Sequence, residues 1–173
     1  YDIKKGQNQY CDVKKICDQI EEAGADFFLL SVGQNSGVFN ARNEKLSSIV
    51  TIRPEKRATE RDFIQEFGEE LKARGIKLML YTSVLPPNGL KNNDTSDWAD
   101  MLMTAKDDTI PYVLSTETAL FWSMFMREYS LRYGDLISGW WLDRSEAVIL
   151  TDSVLTIYAN ALKAGNPDAV ITF

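Results

Sequence analysis

With 173 residues, 45% hydrophobic and 25% charged, the chain has the length of one domain with a sizeable core, and its composition argues against disorder. A net charge of -6 argues against a nucleic-acid binder, which needs a basic stripe. The apolar runs fall well short of the ~20 residues that span a bilayer, and the lack of histidine removes Ser-His and Cys-His nucleophile systems and the commonest zinc ligand.

In chain order, helical and strand patterns alternate. Over residues 12 to 24, Val13, Ile16, Cys17, Ile20 and Ala23 lay one apolar stripe on a helix, with Asp12 as N-cap and Gly24 as stop. Cys11 and Cys17, six apart, point to different faces, so no mutual disulfide is expected, and Cys17 reads as a buried thiol. "DFFLLSV" (26 to 32) is short and continuously apolar, as a strand buried on both faces would be. A second helix is expected to begin at Thr59, whose "TERD" resembles a capping box, to bury Phe63, Ile64, Phe67 and Leu71, and to end at Gly75. "KLMLYTSV" (77 to 84) is the next strand. A third helix starts near Ser115 or Thr116, carries Leu120, Phe121, Met124 and Phe125 as its apolar side, and stops at Gly134. A strand over 137 to 143, a helix from Asp152 through Leu155, Tyr158 and Leu162, and a last strand in "AVITF" complete the pattern.

Four α-β repeats predict a parallel sheet with helices on its faces. The segments leaving the first two strands are long, and parallel folds gather function at the carboxyl ends of strands. No leader-like segment opens the chain, and its start at Tyr1 and apolar end at Phe173 suggest a piece of something longer.

The stretch "GWWLDRSEA" (139 to 147) is the first candidate for chemistry. Alternation puts Gly139, Trp141 and Asp143 on one face and Trp140 and Leu142 on the other. An aromatic floor beside a carboxylate suits a sugar, because the ring stacks on apolar sugar faces while the carboxylate attacks or stabilises the anomeric centre. A structural reading, in which Asp143 pairs with Arg144 or caps a turn, stands beside it. Gln34 and Asn35, in the turn "QNSG", have donors and acceptors for sugar hydroxyls, or simply form a polar turn. Tyr81 and Ser83 close the second strand, with interior filling as the plain alternative. Asp94, Asp97, Asp107 and Asp108 lack the regular spacing of a calcium loop, and no glycine-rich phosphate cradle occurs, so no metal or cofactor is expected.

Together "EEAGADFFLLSVGQNSGVF", "RDFIQEFGEELKARGIKLMLYTSV" and "LRYGDLISGWWLDR" resemble, in the right order, the α-L-fucosidase family of glycoside hydrolases, family 29. In that family a strand leads to a sugar-binding His-His-Asp-Gly turn, a later strand ends Tyr-Tyr-Ser, and another ends Trp-Phe-Asp with the nucleophilic aspartate. The resemblance implies that Asp143 is the nucleophile of a retaining mechanism, that Trp141 matches the tryptophan two before it, and that Tyr81 and Ser83 match the third barrel strand's end. It departs at the turn, where Gln34, Asn35 and Ser36 replace the histidines and aspartate while Gly37 is kept, and at Arg144, which replaces a small residue. The family's general acid lies further along the chain; Glu146 is a possible acid/base by proximity.

The implied fold is a (β/α)8 TIM-barrel type. Such a barrel takes about 250 residues, so residues 1 to 173 would be part of a single catalytic-type barrel domain, about half of it, with four βα units and the remaining half as partner. The expected partner molecule is a carbohydrate substrate, with no nucleic acid and no membrane span; the location stays open, leaning to secreted or periplasmic, and so does the oligomeric state. Two alternatives stay open: a degenerate barrel that binds carbohydrate without cleaving it, and a free-standing doubly wound α/β binding domain.

Overall fold

The computed structural model describes residues 10–33, 37–49, 58–86 and 112–173. Helix α1 (Val13–Glu22) starts where the Asp12 side chain accepts the Lys15 amide at 3.0 Å, buries Val13 and Cys17, and is ended by Gly24 at φ +69°. Strand β1 (Phe27–Ser31) follows. A short helix not anticipated from sequence, α2 (Glu44–Ile49), lies in the long segment after β1.

Helix α3 (Phe63–Ala73) begins four residues later than the capping-box reading. Asp62 is its N-cap, accepting the Gln65 amide at 2.9 Å, while the Thr59 hydroxyl donates to the Arg61 carbonyl in a local turn. The buried residues are those expected: Phe63, Ile64, Phe67 and Leu71. Strands β2 (Lys77–Ser83) and β3 (Tyr112–Val113) precede α4 (Thr116–Tyr133), which Ser115 caps by accepting the Thr118 amide at 3.1 Å.

In α4 the expected apolar side is corrected in part: Phe125 is buried and Phe121 packs against the core, as expected. Leu120 and Met124 are 51% and 40% exposed, and the buried face is Ala119, Trp122, Phe125, Met126, Tyr129 and Tyr133. The helix is apolar on most of its circumference, so periodicity gave the helix but not its inward face. Inward, Trp122 stacks on Phe125 with centroids 4.3 Å apart and Phe125 meets Tyr129 edge-on at 4.9 Å.

Strands β4 (Ile137–Asp143) and β5 (Val148–Ile149), helix α5 (Asp152–Leu162, capped by Thr151) and strand β6 (Val170–Thr172) complete the chain. Cys11 and Cys17 are both free, as expected, and burial pushes the Cys17 thiol up.

The main sheet runs β1-β2-β4-β6, every pair parallel. Spatial order follows chain order, and among the described strands there is no reversal of the kind a doubly wound sheet has at its switch point. A second, two-stranded parallel sheet pairs β3 with β5.

Alternation separates the two faces of the main sheet. Leu78, Leu80, Thr82, Trp140 and Leu142 are buried, and on β1 the Phe28 ring packs on Phe67 of α3 at 5.4 Å. On the other face Met79, Tyr81 and Ser83 are half-buried, and Phe27, Trp141 and Val170 are exposed. Among the described residues no helix is long and apolar enough to cross a membrane.

Candidate functional site

The open face carries the candidate residues in rows fixed by strand register. Ser31, Tyr81, Trp141 and Thr172 lie side by side across β1, β2, β4 and β6, and Ser83 lies beside Asp143 one row nearer the carboxyl ends. In the row below, Gly139 is closely approached: a Cβ there would stand 3.0 Å from the Met79 methyl and 3.1 Å from the Val170 carbonyl oxygen, so a side chain fits only if those neighbours give by a few tenths of an ångström.

Asp143 closes β4, half-buried, and Trp141 stands on its own face, 44% exposed. The Tyr81 hydroxyl donates to Oδ2 of Asp143. Burial, followed by this hydrogen bond and the charges of Asp143 and Glu146, pushes the Tyr81 phenol up to about 12, with Arg144 pulling the other way. Tyr81 thus keeps its proton and stays a donor at neutral pH.

The chain leaves β4 through a constrained backbone. Arg144 has φ +66°, the only positive φ of a non-glycine among the described residues. That conformation costs an L-residue roughly 1–2 kcal/mol and turns the chain into the 3₁₀ turn Ser145–Ala147, where the Ala147 amide donates to the Arg144 carbonyl at 3.1 Å. Glu146 is exposed on that turn, and its charge reaches the Tyr81 hydroxyl.

Of the sequence-derived candidates, Tyr81, Trp141 and Asp143 come together on one face. Gln34 and Asn35, with Ser36, lie outside the described residues, as do the four loop aspartates. Among the described residues no group of three or more His, Cys, Asp or Glu could hold a metal.

Several residues near the site were not singled out from sequence. Asn40 Nδ2 donates to the Ser31 carbonyl at 2.6 Å and Phe39 bridges to Gly33 and Ala58, fastening the segment that leaves β1. Neither sits in a periodic pattern, so no sequence signal pointed to them. The Ser31 hydroxyl is buried with no hydrogen-bond partner among the described residues, in the same row as Tyr81 and Trp141. A cleft of about 540 Å³ lies elsewhere, between the starts of α1 and α3, lined by Tyr10, Asp12, Arg61 and Glu66, and holds none of the candidates.

No family model and no curated protein matches the sequence. Solved structures do match the fold. The endo-fucoidan hydrolase P5AFcnA of glycoside hydrolase family 107 is similar with a TM-score of 0.66 at 20% identity, over 92% of this chain and 43% of that one. The α-L-fucosidase AlfC from Lactobacillus casei, in complex with its α-L-fucose product, gives 0.63 at 20% identity, over 94% and 50%. A family 29 α-L-fucosidase from Bacteroides thetaiotaomicron gives 0.59 at 18% identity, over 92% and 33%. The chain thus spans half or less of the length of these three proteins. The likeness to family 29 expected from sequence is matched by one to family 107, so the structure shows a fucosidase-like α/β fold shared by both rather than membership of either.

Proposed function

We propose that this chain is the part of a (β/α)8 barrel that carries the nucleophile of a retaining glycosidase acting on α-L-fucosyl linkages. The observation that carries the reading is the placing of Asp143 at the carboxyl end of an interior parallel strand, on the open face, with a hydrogen-bonded Tyr81 and an exposed Trp141 beside it. The printed activities of the structural neighbours, fucoidan hydrolase and α-L-fucosidase, supply the sugar class. The partly exposed apolar face, with Phe27, Trp141 and Val170 open, fits a barrel whose other βα units lie outside this chain.

In this reading the Asp143 carboxylate attacks the anomeric carbon as the glycosidic C–O bond breaks and the leaving oxygen takes a proton from an acid. Water then attacks the anomeric carbon as its bond to the Asp143 oxygen breaks, freeing the carboxylate, with the water's proton passing to that same group. Within this chain Glu146 is the candidate for that acid/base role, and Gln34 and Asn35 for reading sugar hydroxyls. Trp141 supplies a stacking surface and Tyr81 orients the nucleophile.

The test is a screen of the full-length protein against aryl glycosides, fucosides first, with Asp143→Asn and Glu146→Gln alongside. Hydrolysis of fucosides by the wild type and its loss in Asp143→Asn are expected. A wild-type-like rate for Asp143→Asn would overturn the assignment. Fucose binding without hydrolysis by the wild type would instead establish a non-catalytic barrel, for which the replacement of the family's turn histidines is the sequence argument.

A further inference from the structure

The aspartate at the end of β4 is held from two sides, and only one of them is the open face. On the opposite face, β2 ends where β4 turns away at Arg144, so the carbonyls of Ser83 and Val84 emerge into a buried layer; Val84 is fully buried. Buried carbonyls need donors, since an unpaired one loses its hydration with nothing to replace it. Both donors are aromatic side chains reaching in from the helices. Trp122 of α4 donates its indole N–H to the Ser83 carbonyl at 2.9 Å, and Tyr158 of α5 donates its hydroxyl to the Val84 carbonyl at 2.6 Å. The Val84 amide in turn donates to the main-chain carbonyl of Asp143 at 2.9 Å, and Ser83 Oγ accepts the Leu85 amide at 3.0 Å.

From this arrangement we infer that Trp122 and Tyr158 are positioning residues, which fix Asp143 from behind through the Ser83–Val84 exit of β2; their effect on turnover rests on the function proposed above. Neither touches the open face. Both rings are almost wholly buried, and Trp122 is further fixed by its stack on Phe125 and its tilted contact with Phe39. The chain of contacts is short: ring, carbonyl of residue 83 or 84, amide of Val84, carbonyl of Asp143. A shift of the β2 exit would move the Asp143 backbone more than Tyr81, which stands earlier on β2 with its carbonyl held by the Val32 amide at 2.9 Å, and the carboxylate would lose its aim. A misplacement of about 1 Å can cost 100-fold in rate, so even a partial loosening is measurable.

The test uses Tyr158→Phe and Trp122→Phe in the full-length protein, each keeping an aromatic ring and losing the donor. Ser130→Ala is the control: it removes a buried hydroxyl that donates to the Leu162 carbonyl at 2.7 Å and accepts the Gly165 amide at 2.9 Å, between the same pair of helices but away from β2. Active sites are counted by trapping with a 2-deoxy-2-fluoro-fucosyl fluoride, so that a smaller folded fraction does not pass for slower chemistry. The expected result is a fall in kcat per trapped site of about tenfold in both Phe variants with KM little changed, and none in Ser130→Ala. Amide hydrogen exchange at Val84, which does not depend on activity, should quicken by about tenfold in the Phe variants only. Wild-type kcat per site in both Phe variants, or unchanged Val84 exchange, overturns the inference. An inactive wild type would overturn the proposed function instead, and the Val84 exchange would then decide alone whether the two rings fix the strand exit.

Discussion

The Tyr81 hydroxyl donates to Asp143 Oδ2 from the neighbouring parallel strand, one register row away, because both side chains fall on the same face of the sheet. The bond engages one carboxylate oxygen and limits rotation of the group. A charge-assisted bond of this type contributes about 1.5–3 kcal/mol. We expect Tyr81→Phe to lower kcat by about 10- to 100-fold while the fold survives, since an orienting donor is lost and the ring is kept. Steady-state kinetics with circular dichroism on the same samples would check both halves.

The same tyrosine predicts an alkaline effect on stability. Its folded value of about 12 lies above the unfolded value near 10, so its contribution is complete below pH ~10 and is lost as pH rises through ~12. Burial also raises Tyr129 and Tyr133. Unfolding midpoints should therefore fall across this range in the wild type and fall less steeply in Tyr81→Phe, whose other two tyrosines still titrate. Identical slopes for the two proteins would show that Tyr81 is not perturbed.

Adjacent tryptophans should behave oppositely. Trp140 is 0% exposed on the helix-facing side, whereas Trp141 is 44% exposed beside Asp143. Trp140→Ala removes a fully buried ring and should cost about 3–5 kcal/mol in stability. Trp141→Ala should cost little stability but raise KM for an aryl fucoside, by about tenfold for a lost stacking contact worth ~1.5 kcal/mol. Denaturant melts and kinetics on the pair would separate the two roles.

Much of this arrangement was legible in the sequence, for identifiable reasons. The strand 137 to 143 has alternation strong enough to place Trp141 and Asp143 on one face, and the short apolar runs marked the other strands of the main sheet. Glycines with positive φ at 24, 75 and 134 marked where helices end. What stayed hidden depends on partners distant in sequence. The inward face of α4 is decided by which side meets the sheet, and a helix apolar on most of its circumference carries no label for it. The start of α3 went to Asp62 rather than Thr59 because Asp62 also accepts the Tyr133 hydroxyl, 71 residues away. The two-residue strands β3 and β5 are too short to show a period, and the Tyr81–Asp143 bond spans 62 residues.

Gly165 should be intolerant of any side chain. A Cβ there would lie 1.8 Å from the Ser130 carbonyl oxygen, a backbone atom that cannot swing aside, while the Gly165 amide donates to Ser130 Oγ at 2.9 Å. Overpacking of this kind typically costs about 1–3 kcal/mol and more where backbone must move. At Gly24, with φ +69° and open space where a methyl would stand, Ala should cost only about 1 kcal/mol. Equal losses in the two Ala variants, read from denaturant midpoints, would contradict the close α4–α5 approach at Gly165.

Asp143→Asn separates a nucleophile from a structural aspartate. The amide keeps the shape of the side chain and an oxygen for the Tyr81 hydroxyl, so packing around β4 should be preserved and thermal stability should change little. It cannot form the covalent glycosyl-enzyme, so turnover should fall by several orders of magnitude. Sugar binding should persist, because Trp141 still presents its face beside the vacated charge. If small anions such as azide restore cleavage of an activated aryl fucoside in an Asp143→Ala variant, yielding the inverted glycosyl azide, the carboxylate's role is nucleophilic, since an external nucleophile has then taken its place at the anomeric carbon. The acid limb of the wild-type kcat/KM profile, in so far as this chain sets it, must come from carboxylates, because the chain has no histidine. A wild-type rate for Asp143→Asn would return this aspartate to a structural part: the residue that accepts the Tyr81 hydroxyl and closes β4 before the turn at Arg144.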